Sequence, residues 1–354
     1  MLPIIRFALV FCALKLILLS ASPEILSAVE LQPGDIIVDA EVDVGFGNFA
    51  IFRVNPITGA KTEISGKNVG SGPEFTDHSL LSLSPSGEIY AASGGAIYRV
   101  DPASGDRTIV SDSAHGSGPP ELGYITGVQT LPDGSLLACS YGNELARVDP
   151  VTGNRTALPD LANDPPGFTF AAGLSIAPNG EVWIADNLFG PVLRYDVNTG
   201  EHSIVSSSLD APLVGTGPAF GQPVGQTFNL TGDLFYVCQY TNILSIDPAT
   251  GNRAIVSSWD PANLVGTGDP IGGGVLRIQP DGSLLTQDIS NHFYRVNPVT
   301  GDRTLQFTFA AGEKYYAGDF IVVPNAVPEP STLVLGAVGG VALLATALRR
   351  RTSA

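Results

Sequence analysis

Cysteine is scarce in this chain, and the few cysteines present do not form a recognisable site. Only three of the 354 residues are cysteine, namely Cys12, Cys139 and Cys238, and no Cys-x-x-Cys or His-x-x-x-His spacing occurs. Cys139 and Cys238 fall in apolar, strand-like runs, which favours small buried thiols over a disulfide bridge or a metal site.

Basic side chains are also few. Lysine and arginine number 18 against 34 aspartates and glutamates. Residues 1–28 and 327–354 together hold five basic and two acidic side chains. The body therefore has 13 basic and 32 acidic side chains, and its formal charge is −19. Phosphate binding needs a basic patch, so we expect no nucleic-acid partner and consider anionic lipid a poor one. Solubility accounts for most of the acidity.

Long helices are not expected between the two ends of the chain. The 41 glycines and 27 prolines interrupt the sequence too often for them. The body, residues 29–324, is still long enough to bury a large core.

The N-terminus has the layout of a secretory signal peptide. Arg6 precedes an apolar stretch at residues 7–19, and small residues follow at 20–22 and 27–28. Lys15 inside the apolar stretch leaves the cleavage point open, with Ala28 favoured. Residues 1–28 are therefore predicted to be a signal peptide, and a plain N-terminal anchor is the alternative.

The C-terminus combines a Pro-rich break, an apolar run of membrane length and a basic end. The parts are Pro328, Glu329 and Pro330, then residues 331–348, then Arg349, Arg350 and Arg351. This order resembles the PEP-CTERM sorting signal, on which bacterial exosortases act. The resemblance assigns residues 325–354 to a sorting signal, with a transmembrane helix at 331–348 and a basic tail at 349–351. The alternative is an ordinary C-terminal anchor.

That resemblance has consequences for location and partners. It implies export to the cell surface or the extracellular space, with membrane anchoring through the C-terminal helix until processing. The implied partners are an exosortase-type enzyme and the export machinery. It also associates the chain with Gram-negative bacteria that make extracellular polysaccharide.

An internal repeat determines the expected fold. A phrase of the type Arg-Val-Asp-Pro-x-Thr-Gly occurs six times, with its Asp or Asn at positions 55, 101, 149, 196, 247 and 297. Each phrase is an apolar strand that runs into a turn, and a second strand follows. A further hairpin, marked by Pro-Asp-Gly, Pro-Asn-Gly or Pro-Ser-Gly, lies upstream of most copies.

Four antiparallel strands per repeat predict an all-β fold, a six-bladed β-propeller. The first copy, from Pro33, lacks an opening strand, and the strand at residues 318–324 has no partner in its own copy. We therefore expect this last strand to close the ring as the innermost strand of blade 1. The body resembles NHL-type, lactonase-type and virginiamycin-lyase-type propellers, and we expect it to be monomeric.

The strand order predicts where a site lies. With strands lettered a to d from the axis outward, the a–b and c–d turns share one face, which we name the turn face. The b–c tips and the starts of the a strands lie on the opposite loop face, where we expect any site. We also expect the d–a connections on this loop face, and four Gly-rich ones, beginning at Gly70, Gly116, Gly215 and Gly266, are interpreted as structural bends.

The lactonase resemblance suggests a divalent metal at the channel mouth. The candidates are strand-end groups: Asp39, His78, Asp186, Asn187, Asp288 and Asp319. Four of them, His78, Asp186, Asn187 and Asp288, form the predicted ligand or metal mouth, and oxygen ligands of this kind suit Ca²⁺. They match no lactonase ligand pattern residue by residue, and there is no Gly-x-Ser-x-Gly elbow.

The sequence therefore favours a non-enzymatic role without a cofactor, in which the exported propeller binds or scaffolds surface polysaccharide or protein. The alternative is a metal-dependent enzyme of the lactonase or lyase type. Converging carboxylate, amide or histidine side chains at the channel mouth would distinguish the enzyme from the scaffold.

Overall fold

The computed structural model describes residues 30–42, 47–141, 144–159, 161, 171–186, 191–208, 213–309 and 315–325. These residues form six four-stranded antiparallel sheets, which confirms the predicted six-bladed propeller. The predicted signal segment and the predicted transmembrane run lie outside the described residues. Within the described ranges, no helix has the length and apolar character needed to cross a membrane.

Strands a and b form the inner half of each blade. Strand a of blades 1 to 6 is β24 (Tyr315–Val322), β4 (Ser79–Leu83), β8 (Ile125–Thr130), β12 (Ala171–Ile176), β16 (Gly225–Phe228) and β20 (Leu276–Ile278). Strand b is β1 (Ile36–Val42), β5 (Ile89–Ser93), β9 (Leu136–Ser140), β13 (Val182–Asp186), β17 (Phe235–Cys238) and β21 (Leu284–Gln287). Each a strand contacts the a strands of its two neighbouring blades, so the six of them surround the axis.

Strands c and d form the outer half. Strand c is β2 (Asn48–Val54), β6 (Ala96–Val100), β10 (Leu145–Val148), β14 (Val192–Tyr195), β18 (Asn242–Ile246) and β22 (His292–Val296). Strand d is β3 (Lys61–Ser65), β7 (Arg107–Ser111), β11 (Arg155–Leu158), β15 (His202–Ser206), β19 (Arg253–Ser258) and β23 (Arg303–Thr308).

The last strand closes the ring in blade 1, as the repeat predicted. Strand β24 pairs antiparallel with β1, with Val322 opposite Ile36 and Phe320 opposite Val38. Beyond the strand, the Val323 N–H donates to the Asp35 carbonyl at 2.8 Å, so the pairing continues to the turn face. The first and last segments of the propeller are thus held in one sheet.

The core lies between neighbouring blades. Trp183 of blade 4, for example, packs against Phe228 and Phe235 of blade 5 with ring centroids 5.0 Å apart in each pair. Cys139 and Cys238 are both buried free thiols, as the sequence predicted. Inter-blade packing of this kind makes each blade depend on its neighbours for burial.

The repeated turns are held by their Asp or Asn side chains. In blade 1 the Asn55 Oδ1 accepts hydrogen bonds from the N–H groups of Ile57 and Thr58, at 2.9 and 3.0 Å. Gly59 ends this turn with φ at +67°, a conformation that glycine adopts without strain. These contacts explain the Asn/Asp and Gly positions of the repeat.

A buried arginine at the start of strand d joins neighbouring blades. Arg253 donates through Nε to the Pro218 carbonyl at 2.7 Å and through Nη1 to Ser206 Oγ at 2.6 Å. Ser206 Oγ in turn donates to the Gly251 carbonyl at 2.7 Å. Equivalent arginines at the same place are Arg107, Arg155 and Arg303.

The Gly-rich connections lie elsewhere than the sequence predicted. We expected them on the loop face, but each passes against the c–d turn of the next blade. The Arg253 N–H donates to the Thr216 carbonyl at 2.7 Å, and a Cβ on Gly215 would lie 1.9 Å from the Gly251 carbonyl oxygen. Sheet twist accounts for the difference, because it turns strand d toward the neighbouring blade. Their interpretation as structural bends agrees with this packing.

Candidate functional site

One buried pair on the loop face joins two of the six candidate groups. His78 directly precedes β4, and its Nδ1 lies 2.7 Å from Oδ2 of Asp39 on β1. Asp39 is completely buried, and its Oδ1 has no hydrogen-bond partner among the residues that the structure describes. Phe49 packs edge-on against the His78 ring at 5.0 Å.

Asp39 is an exception within the repeat. Its position in strand b lies opposite the c-strand residue that is four positions before the Asp or Asn of the repeat. In the other blades this position is filled by Ala92, Cys139, Ala185, Cys238 and Gln287. A carboxyl at a position that is uncharged in every other blade, and small and apolar in four of them, is the sequence signal that could have identified this pair.

The contact between Asp39 and His78 affects the pKa values of both side chains. Burial raises the pKa of Asp39 to about 6, and the hydrogen bond and charge of His78 only partly oppose this effect. Burial acts to lower the pKa of His78, but the hydrogen bond and charge of Asp39, with the charges of Asp77 and Glu41, raise it above its ordinary value. Proton binding to the two groups is therefore coupled.

Asp319 lies close to this pair. Its Oδ2 accepts the Leu81 N–H of β4 at 2.8 Å, and its Oδ1 lies 2.8 Å from Nη2 of Arg277 on β20. Burial raises the pKa of Asp319, and its charge contributes to the raised pKa of Asp39. The structure thus brings Asp39, His78 and Asp319 together where blades 6, 1 and 2 meet.

The remaining candidates are placed separately. Asp186 ends β13 and is completely buried, while Asn187 lies outside the described residues. Asp288 is bonded within its own b–c tip, since Oδ1 accepts the Ser290 and His292 N–H groups and Oδ2 lies 2.9 Å from His292 Nδ1. In the ranges that the structure describes, no three His, Cys, Asp or Glu side chains converge as metal ligands. The four-residue mouth remains a prediction.

The axial channel expected for a propeller contains a cavity whose lining the sequence did not indicate. It has a volume of about 530 Å³, opens toward the turn face and is lined by all six a strands. Its lining is mostly neutral, with Arg277 as the single charged side chain. Gln226 donates to the Gly173 carbonyl at 2.8 Å, so strands β16 and β12 are joined across the channel wall.

Bulky side chains are exposed at equivalent b–c tips of the loop face. The residue two positions after the site equivalent to Asp39 is Tyr141 in blade 3, Tyr240 in blade 5 and Ile289 in blade 6, with exposures of 71%, 54% and 76%. A fourth exposed residue, Tyr124, accepts the Tyr141 N–H through its carbonyl at 2.8 Å. Sequence reasoning missed these residues because it searched for polar ligands.

The exposed aromatic residues are confined to one face. Among the described residues, the large apolar side chains exposed to solvent include three aromatic ones, Tyr124, Tyr141 and Tyr240, and all three lie on the loop face. On the turn face, the large apolar side chains exposed at the c–d turns are all aliphatic, namely Ile57, Val151 and Val299.

Comparison with known proteins identifies the C-terminal segment. Residues 326–351 match the PEP-CTERM protein-sorting motif. This motif implies export, processing by an exosortase and sorting to the cell surface. No curated protein matches the chain significantly.

Solved structures show the same architecture at low sequence identity. An inactive virginiamycin B lyase from Staphylococcus aureus with quinupristin superposes with a TM-score of 0.52 and 14% identity, covering 79% of this chain and 86% of that chain. The nidogen/laminin complex gives a TM-score of 0.56 and 12% identity, covering 82% and 98%. A streptogramin B lyase gives 0.52 and 13%, covering 81% and 87%. At such identities the similarity shows the fold alone.

Proposed function

We propose that this exported propeller is a non-enzymatic binding protein of the cell surface or extracellular matrix, and that its loop face holds polysaccharide. The observation that supports this proposal is the confinement of exposed tyrosines, Tyr124, Tyr141 and Tyr240, to the loop face. Aromatic side chains are enriched in recognition surfaces because they bury a large area at little cost in conformational entropy.

The chemistry of the face favours an uncharged or amine-bearing polymer. A tyrosine ring offers an apolar face to the C–H groups of a sugar, and its hydroxyl can hydrogen bond to sugar hydroxyls. The body carries a formal charge of −19 by sequence, so an anionic polymer would be repelled. Repetition at several tips suits a ligand that itself repeats, because weak contacts then add through multivalency.

Binding to matrix material tests the proposal. We expect the isolated body, residues 30–325, to bind extracellular polysaccharide prepared from the native host. Replacing Tyr141 and Tyr240 with Ala should weaken binding about tenfold or more, because each truncation removes an aromatic contact. Replacing Val151 and Val299 with Ala is the matched control, since these side chains are on the turn face and even more exposed than the two tyrosines.

Two results would contradict the proposal. The tyrosine variant could bind as tightly as the wild-type body, or binding could survive periodate oxidation of the polysaccharide and disappear after protease treatment of the matrix. The second result would identify a protein partner. Unchanged melting temperatures of both variants would show that the substitutions act on binding.

A lactonase- or lyase-type enzyme is the second candidate, and the Asp39–His78 contact favours it. A buried carboxylate that fixes an imidazole through Nδ1 is an arrangement found in general-base catalysis. If a metal takes part, Ca²⁺ should raise the melting temperature by mass action, and the rise should vanish when Asp186 and Asp288 are both replaced with Ala. We expect no such rise in the wild-type protein.

A further inference from the structure

The chain leaves the propeller near the centre of the turn face. After β24, Val323 is hydrogen bonded to both Gly34 and Asp35 at 2.8 Å, at the turn-face end of blade 1. Asn325 Nδ2 then donates to the Pro280 carbonyl in the a–b turn of blade 6 at 3.3 Å. Pro324 and Asn325 line the mouth of the axial cavity, so the last described residues lie beside the axis.

Only a short spacer separates this point from the apolar run of the sorting segment. Residues 326–330 leave six Cα–Cα steps between Asn325 and Ser331, which span at most about 22 Å when fully extended. Strand β24 has eight residues, so its loop-face end lies seven steps, or about 23 Å, from its turn-face end. The spacer is therefore shorter than the strand that separates the two faces.

We propose that the turn face is the membrane-facing surface of the precursor, and that the loop face points away from the bilayer. The inference requires the apolar run at residues 331–348 to be inserted in the membrane. It does not require the loop face to bind polysaccharide, because it follows from the position of Asn325 and the length of the spacer.

The charges of the turn face indicate how this face lies against the lipid headgroups of the membrane. Arginines of strand c form ion pairs with acids of the a–b turns in five blades: Arg53–Asp35, Arg99–Glu88, Arg147–Asp133, Arg194–Glu181 and Arg295–Asp281. Acidic residues outside these pairs, such as Asp106 and Asp149, remain exposed on the c–d turns. The face therefore has no excess of basic groups to attract anionic lipid, and the covalent tether sets its distance from the headgroups.

Lipid quenching of single fluorophores tests the orientation in the full-length precursor. The protein is produced in a host without exosortase, and isolated membranes are studied with spin-labelled lipids as quenchers. One label is placed by Ser86→Cys, on an a–b turn, and the other by Ile289→Cys, on a b–c tip. Cys12 is replaced with Ser in both labelled proteins. The native Cys139 and Cys238 do not interfere, because burial raises the pKa of each thiol to about 11.

The label at position 86 should be quenched several-fold more than the label at position 289. Inserting about 20 Gly/Ser residues after Asn325 should abolish most of that difference, because a flexible linker of that length lets the propeller turn. Equal quenching at the two positions, stronger quenching at 289, quenching at neither, or no effect of the insertion would each overturn the proposal. Loss of polysaccharide binding in the tyrosine variant would leave this result unchanged, so the two proposals fail separately.

Discussion

Asp39 is the residue at which the sequence departs most clearly from its own repeat. The other blades place uncharged residues at this position, small ones in four of the five, whereas blade 1 buries a carboxyl against His78. The sequence identified Asp39 and His78 separately as strand-end groups but could not show their contact. The contact depends on the packing of blade 1 against blade 2, which no local pattern encodes.

The Asp39–His78 pair should make stability depend on pH. Both pKa values are raised in the folded protein, that of Asp39 from 3.8 to about 6 and that of His78 above 6.5. The folded state therefore binds more protons than the unfolded chain in this range, and the free energy of unfolding should fall as the pH rises from about 4 through 6 for Asp39 and further above 6.5 for His78. We expect the pair to contribute roughly 1–3 kcal/mol to this fall.

Asp39→Asn should flatten the pH profile, because it removes one coupled proton site without changing the size of the side chain. Denaturant unfolding at several pH values measures the effect. Asp101→Asn is a suitable control, since asparagine occupies the equivalent turn position at Asn55 and Asn297. Identical pH dependence in the wild type and in Asp39→Asn would contradict this account.

Arg253 should contribute far more to stability than an arginine on the surface. Arg253→Met leaves the Ser206 hydroxyl and several buried carbonyl groups without their donor, which should lower the free energy of unfolding by about 2–4 kcal/mol. Arg194→Met breaks only an exposed pair with Glu181 and should cost about 0.5 kcal/mol or less. Similar losses in the two variants would show that the buried contacts do not stabilise the blade interface.

At the scale of elements, the turn signals of the sequence predicted nearly all of the architecture. Asp-Gly, Asn-Gly and Thr-Gly turns are local, so the blade boundaries and the closing strand could be derived from the repeat alone. The paths of the d–a connections and the axial cavity could not be derived. They follow from blade twist and from how six a strands meet, which are properties of the assembled ring.

Strand β24 should be required for folding of the whole ring. A chain that ends at Ala326 should unfold cooperatively, because β24 completes blade 1 by pairing with β1. A chain that ends at Lys314 loses this strand and exposes the edge of β1, so it should melt at a much lower temperature and aggregate. Calorimetry and light scattering of the two truncations make the comparison. Equal melting temperatures would show that the closing strand is dispensable.

At the scale of the whole molecule, the sorting segment and the loop face of the propeller differ in how far the sequence predicted them. The sorting motif at residues 326–351 implies delivery to the cell surface, where we propose that the propeller presents its loop face. Short linear signals made the destination predictable from sequence. The exposed tyrosines were not predicted as a surface, because their common placement becomes visible only when the blades are superposed.

Retention in the extracellular matrix of the native host tests the central claim most directly. Wild-type protein, the Tyr141→Ala/Tyr240→Ala variant and the Val151→Ala/Val299→Ala control all keep the sorting motif, so all three should be exported equally. The fraction of exported protein held in the matrix, compared with the fraction free in the medium, is then measured by immunoblotting. We predict that the tyrosine variant is released into the medium while the valine control is retained like the wild type. Retention of the tyrosine variant at the wild-type level would contradict the assignment of binding to the loop face.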